Sequence, residues 1–251
     1  MESKNLYETI FKRKSIRQYD PTPLDGITLA EIMTRTSALK ALYDGIKVEI
    51  KLLSQKDVKS LFQAKAPHYL AVFSEVKDGY LMNAGFMLQQ MDLFFSANGI
   101  GSCWQGIPKP TKEILKRSKS EFIILLAFGK PKERLHRENV SEFPRKQFRE
   151  ITDIKGTDRL LQPAHLAPSA MNWQQWFFSG SAGTIHAYRA KSSFLTTFMI
   201  EKVSKVSMGI AICHVWIAAK HFGKEVEFIS HKDAQNNPPA GHDYVITIKL
   251  K

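Results

Sequence analysis

Pro168-Ser169-Ala170-Met171-Asn172-Trp173-Gln174-Gln175-Trp176 opens on a proline, carries amides at Asn172, Gln174 and Gln175, and closes on tryptophan. Amides offer donors and acceptors, and indole offers a flat apolar face. A proline-led loop of this make-up suits the edge of a planar heterocycle. Taken alone, its tryptophans also read as core, a reading that suits Trp176 more than Asn172. Far upstream the chain reads Lys12-Arg13-Lys14-Ser15-Ile16-Arg17-Gln18-Tyr19. Guanidinium forks match phosphate oxygens, and Ser15 adds a short donor. A basic cluster after a short helix is, by itself, usually a solvated one.

Two further segments stand out. Gly99-Ile100-Gly101-Ser102-Cys103-Trp104-Gln105-Gly106 implies backbone that must approach something closely, and side-chain-free backbone can offer N–H donors to a flat ligand. An ordinary helix-to-strand connection explains Gly99 and Gly101 but leaves Gly106 over. Gly129-Lys130-Pro131-Lys132-Glu133-Arg134-Leu135 follows an apolar run, which places its cations at a strand end, a usual position for ligands. Its ordinary reading is a surface turn.

With 251 residues, 43% apolar and 11% aromatic, the chain can bury a sizeable core as one domain or two. The two cysteines, Cys103 and Cys213, imply no disulfide framework, and a reducing cytoplasm is the simplest home. The polar start, Met1-Glu2-Ser3-Lys4-Asn5, has no signal-peptide core, and no run approaches ~18 consecutive apolar residues, so no membrane association is expected. The net charge of +12 raises nucleic-acid binding, but the cations are scattered and interrupted by acids. A solvated basic surface with a few cations serving an anionic ligand is the favoured reading, with no nucleic-acid partner.

Periodicity gives a mixed α and β chain. Helices are expected at 5–12, from Thr28 with Glu31 completing a capping box, at 79–97, near Thr157 but stopping before Pro163, and at 203–222. Strands are expected at 46–52, 69–73, 122–128, 176–179, 184–188, 226–229 and 244–250. The two long helices look like a repeat. Asn83-Ala84-Gly85-Phe86-Met87 lies over Ser207-Met208-Gly209-Ile210-Ala211, and Asn98-Gly99 lies over Phe222-Gly223 without a gap. A glycine inside a helix costs about 1 kcal/mol relative to alanine, which is tolerable where two helix backbones come close.

Together the four segments resemble the signatures of the nitroreductase family: the R-x-S-x-R turn, the G-x-G-x-C-W segment, the G-x-P-K-x-R turn and the A-P-S-x-x-N loop. The first-half stretch Thr36-Ser37-Ala38-Leu39-Lys40 lacks the proline and asparagine of that loop, and the second half lacks the basic turn and the C-W segment. This is similar to a single-chain branch of TM-type nitroreductases, in which two degenerate halves take the roles of two subunits. The resemblance implies an α+β nitroreductase-like fold with mixed sheets and long core helices. It also implies a pseudo-twofold fusion of residues 1–147 with 148–251, a pseudo-dimer within one monomer holding one working site.

The same resemblance implies an FMN-dependent oxidoreductase that passes hydride from NAD(P)H through flavin N5 to a small acceptor, a nitroaromatic or quinone. The alternative is a non-catalytic or flavin-consuming FMN-binding protein. The implied flavin-binding residues are Arg13, Lys14, Ser15, Arg17, Lys132 and Arg134 for the phosphate and ribityl end and the flavin's anionic edge. Trp104, Gln105 and Gly106 lie near N5, and Pro168, Ser169, Ala170 and Asn172 reach the ring from the other half. The flavin does the chemistry, so no catalytic side chain and no metal ligand is implied. Cys103 reads as a packed small residue and His214 as a core or surface histidine.

Overall fold

The apolar runs and turn residues resolve into two similar sheets, each crossed by one long helix. The computed structural model describes residues 5–59, 65–191 and 198–251, leaving the first four residues of the polar start outside the described residues. It divides into two units, Met1–Glu142 and Phe143–Lys251. The division falls five residues before the expected one. Arg145 and Lys146, in the stretch between the two positions, bond to Leu166, Asn172 and Gln174 of the second unit.

In the first unit, α1 (Leu6–Ile10) is capped by Asn5, whose Oδ1 accepts the Tyr7 N–H at 3.0 Å. Helix α2 (Gly26–Thr36) begins two residues before Thr28, because Asp25 is the cap and its Oδ1 takes the Thr28 N–H at 2.8 Å. A carboxylate at a helix N-terminus has the dipole in its favour as well as the hydrogen bond. Then follow β1 (Val48–Ser54), β2 (Val58–Lys59), β3 (His68–Ser74), α3 (Tyr80–Ala97), β4 (Gly101–Gln105), β5 (Lys109–Pro110), α4 (Lys112–Lys116) and β6 (Glu121–Gly129). The main sheet is antiparallel in the order β1-β3-β6-β4, and β2 pairs with β5 in a small ribbon. Strand β3 is buried throughout, as a continuous apolar run requires. Phe95 of α3 stacks on Phe128 of β6 with centroids 4.5 Å apart. Each such ring contributes about 1.5–3 kcal/mol through burial.

The second unit runs α5 (Asp158–His165), β7 (Trp176–Ser181), β8 (Thr184–Ala190), α6 (Phe198–His221), β9 (Val226–Ile229), α7 (Lys232–Asn236) and β10 (His242–Leu250). Its sheet is antiparallel in the order β7-β8-β10-β9. Helix α5 continues through Pro163 instead of stopping before it. The proline forfeits one N–H, but the last turn closes through Leu166 N–H to Gln162 O at 3.1 Å. Helix α6 starts five residues earlier than its periodicity suggested. Its stretch Met199–His221 is long and apolar enough to cross a membrane and is mostly buried inside the protein. Counting only consecutive apolar residues overlooks it, because lysine, serine and histidine interrupt the run.

The units repeat one plan. In each, a hairpin leads to the long helix, then to an outer strand, and the last strand inserts between the second and third. The helices end in step: Gly99 and Gly223 both adopt left-handed φ, +80° and +70°. Matching positions also do matching work. Asn83 Oδ1 accepts the Leu42 N–H at 2.8 Å, and Ser207 Oγ accepts the Ala170 N–H at 3.1 Å. Both tether the loop that precedes the first strand of their own sheet. Four short elements of two to five residues, β2, β5, α4 and α7, escaped the sequence reading.

Candidate functional site

Three of the four singled-out segments meet in the first unit. The Ile16 N–H donates to Ser102 O at 2.9 Å, laying the basic turn along β4. The Lys132 N–H donates to Gln18 O and the Asp20 N–H to Lys130 O, each at 2.9 Å, laying the same turn along the 130–134 segment. Tyr19 bridges Pro131, and Arg13 bridges His136, in antiparallel sense. Residues more than a hundred positions apart thus share one edge of the sheet. The A-P-S loop belongs to the second unit.

Side-chain placement sorts the cations. Arg13 is 4% exposed and turns inward to Asp92, which is fully buried on α3. Its Nη2 donates to Asp92 Oδ1 at 3.1 Å, and Nε lies 2.7 Å from Oδ2. The Nε–H points off that line, so Nε makes an ion pair without a well-directed hydrogen bond. Lys14 pairs with Glu133 Oε2 at 2.8 Å and donates to Arg134 O at 3.1 Å. Arg134 is held by Glu138 at 2.7 Å and by Glu142. Arg17 and Lys132 are exposed, and Ser15 is half-buried. Exposed positive charge along these segments therefore includes Arg17, Lys130 and Lys132, whereas Arg13 and Arg134 are engaged with carboxylates.

Glu133 fastens the turn. One oxygen accepts the N–H of Arg17 at 2.8 Å and of Gln18 at 3.2 Å. Burial would raise its carboxyl, but these bonds and Lys14 outweigh it and hold the group below the usual glutamate range.

The glycines answer a packing need. A Cβ on Gly101 would lie 2.8 Å from Ile16 Cγ2, and one on Gly129 would lie 2.7 Å from Pro67. What approaches Gly101 closely is the basic turn itself, so this glycine is not kept bare for a ligand. Cys103 is buried, and burial pushes its thiol up although Arg17 and Arg13 pull the other way. Cations do stand near it, but desolvation outweighs them and the thiol stays protonated. Trp104 is half-buried, and Gln105 is 4% exposed with its Oε1 lacking a hydrogen-bond partner among the described residues.

Two residues that the sequence reading passed over sit under this edge. Asp92 accepts from Ser102 Oγ at 2.7 Å and from Gln89 Nε2 at 3.1 Å, and Gln89 Oε1 accepts from the Trp104 indole at 3.2 Å. The available signal was an acid and an amide in an otherwise apolar helix, where burial demands partners.

In the second unit, Met171, Asn172 and Gln174 take left-handed φ of +48°, +59° and +50°. Non-glycine residues rarely adopt this region, and such strain collects at functional loops. The loop is pinned from within its own unit. Arg145 Nη1 donates to Asn172 Oδ1 at 2.8 Å, Asn172 Nδ2 donates to Pro144 O at 2.6 Å, and the Gln174 N–H donates to Ser169 Oγ at 3.0 Å. Both ends of the Asn172 amide are thereby engaged. Met171 stands 81% exposed at the apex, while Pro168, Ser169 and Ala170 are half-buried. Arg145 lies outside the four segments singled out in the sequence. His214 is a satisfied core histidine, its Nδ1 2.7 Å from Pro163 O.

A sheet-and-helix plan with these edge segments defines an α+β fold, and comparison with known proteins bears on which family it is. Residues 5–219 match the family model described as "Putative TM nitroreductase", and the chain belongs to that family. It is an oxidoreductase by that membership. The crystal structure of a putative nitroreductase from Thermotoga maritima superposes with a TM-score of 0.66 at 20% identity, covering 100% of this chain and 94% of that one. An FMN-dependent nitroreductase from Clostridium difficile R20291 covers 57% of this chain and 95% of its own, at 18% identity and a TM-score of 0.45. No curated protein matches the sequence.

Proposed function

We propose that the chain binds FMN and uses it to pass a hydride from NAD(P)H to a small acceptor such as a nitroaromatic or a quinone. The observation that carries this reading is the meeting of residues 13–19, 101–106 and 129–134 on one sheet edge, with Arg17 and Lys132 exposed. The orphaned Gln105 Oε1 fits the same ligand, since a buried acceptor without a donor costs about 1–3 kcal/mol and the flavin imide and ribityl hydroxyls are donors. Two-electron hydride transfer is the chemistry that FMN supplies when bound.

The chain's own residues bind and orient. Arg17 and Lys132 hold the anionic end, with Ser15 and Lys14 as further donors. A fixed cation beside the ring also favours its reduced, negatively charged form. Backbone N–H groups of Gln105 and Gly106 serve as neutral donors, and Trp104 offers an apolar face. Pro168, Ser169, Ala170 and Asn172 form a loop of the second unit that the Asn172 amide holds in place. Arg13 and Arg134 support the turn through Asp92 and through Glu138 with Glu142. We propose that the protein works in the cytoplasm as a monomer.

An absorbance spectrum after FMN addition and desalting, recorded before and after anaerobic NADH or NADPH, tests this reading. Retained yellow colour that bleaches is the expected result. Colour that does not bleach gives a flavin binder without turnover, and no retained colour overturns the assignment.

A further inference from the structure

We infer that Asp92 and Gln89 are positioning residues that set the pose of the Trp104 indole and of the basic turn for the cofactor. The inference rests on the FMN reading for its ligand, and on the geometry of α3 and β4 for its mechanism. Gln89 and Asp92 are three apart on a helix, a rise of about 4.5 Å on one face. Ser102 and Trp104 are two apart on a strand, about 6.6 Å along one face. Helix and strand run in opposite directions, so Asp92 meets Ser102 and Gln89 meets Trp104.

The polarity of this chain of bonds is forced. Indole only donates, so the Gln89 carbonyl must face Trp104 and its NH2 must face Asp92. Asp92 then receives donors from Gln89, Ser102 and Arg13. Gln89, Asp92 and Arg13 are all nearly or fully removed from water. A buried ion pair gives little net stability, and fixing one arrangement among several is the function that best accounts for its retention. Here the arrangement joins α3 to two of the segments that the FMN reading needs, at Arg13 and at Ser102 with Trp104.

The test compares Asp92→Asn, Gln89→Met, Trp104→Phe and the Gln89→Met/Trp104→Phe pair. Without flavin, the Trp104 share of the near-UV circular dichroism is taken by difference from Trp104→Phe. Asp92→Asn and Gln89→Met should both change it. With FMN, dissociation constants are read by flavin fluorescence. Each single variant should weaken binding about tenfold, and adding Gln89→Met to Trp104→Phe should weaken it no further, because the bond is already gone. A general loss of stability moves the melting temperature but does not produce that non-additivity. Should Asp92→Asn fail to fold, Gln89→Met carries the test. Unchanged Trp104 signals, or additive effects on FMN affinity, overturn the inference. Wild-type protein that binds no FMN while its Trp104 signal still responds overturns the FMN reading alone.

Discussion

Arg13 Nε lies 2.7 Å from Asp92 Oδ2, and the two side chains are 4% and 0% exposed. Cutting this pair on one side strands a charge. Arg13→Met should destabilise the protein by about 3–5 kcal/mol, and Arg13→Met/Asp92→Leu should recover part of it, because the stranded carboxylate is gone while Ser102 Oγ and Gln89 Nε2 lose their acceptor. Urea denaturation of the three proteins checks this. A double variant no better than the single would mean that the pair is not the source of the loss.

Exposed cations should behave differently. Arg17→Ala and Lys132→Ala should each leave the unfolding midpoint nearly unchanged and weaken FMN binding about tenfold or more, the worth of one charge-assisted bond. Raising salt should weaken wild-type binding more than that of either variant. Isothermal titration at two ionic strengths distinguishes this from a contribution by shape alone.

Gly101 and Gly99 make a matched comparison. A Cβ at Gly101 meets Ile16 at 2.8 Å, whereas Gly99 has open space but a φ of +80°. Gly101→Ala should cost about 1–3 kcal/mol and also lower FMN affinity by pushing the basic turn outward. Gly99→Ala should cost about 1 kcal/mol of backbone strain and leave affinity alone. Equal affinities for the two variants would refute the link between Gly101 and the turn.

Acid should loosen the basic turn through Glu133. Its carboxyl is held below the usual range in the folded chain, so its contribution is present above the unfolded pKa and is lost as pH falls through the folded one. The slope of stability against pH below about 4.5 should be shallower in Glu133→Gln than in wild type. Denaturation at several acid pH values gives both slopes.

The strained loop offers a stabilising change. Met171 carries left-handed φ on an exposed side chain, so Met171→Asn should raise stability by up to about 1 kcal/mol, since asparagine tolerates that region. Thermal unfolding reads it directly.

Much of this architecture was legible. The strands at 69–73 and 226–229 and the long helix ending at Asn98-Gly99 follow from runs, alternation and cap residues. Local chemistry was less so where two signals competed. Thr28 with Glu31 looked like a capping box, yet Asp25 three residues earlier takes the Thr28 N–H. Pro163 looked like a stop, yet a short helix absorbs one lost bond. The site was legible as segments and illegible as side chains. Spacing in the sequence cannot reveal that Arg13 turns inward, because the acid that draws it, Asp92, lies 79 positions away. Likewise a close approach to the backbone near Gly101 was legible, but not that Ile16 is what makes it.

The strand order common to both units bears on how the chain assembles. In each sheet the strand made last, β6 or β10, is the one that joins the second strand to the third. Until it arrives, the hairpin and the outer strand have no hydrogen-bonded neighbour in common, and the long helix has only part of a surface to cover. Each sheet is thus closed by its final strand as by a keystone. Lesions in β6 or β10 should stall a whole unit, whereas lesions in the outer strand β9 should only fray an edge.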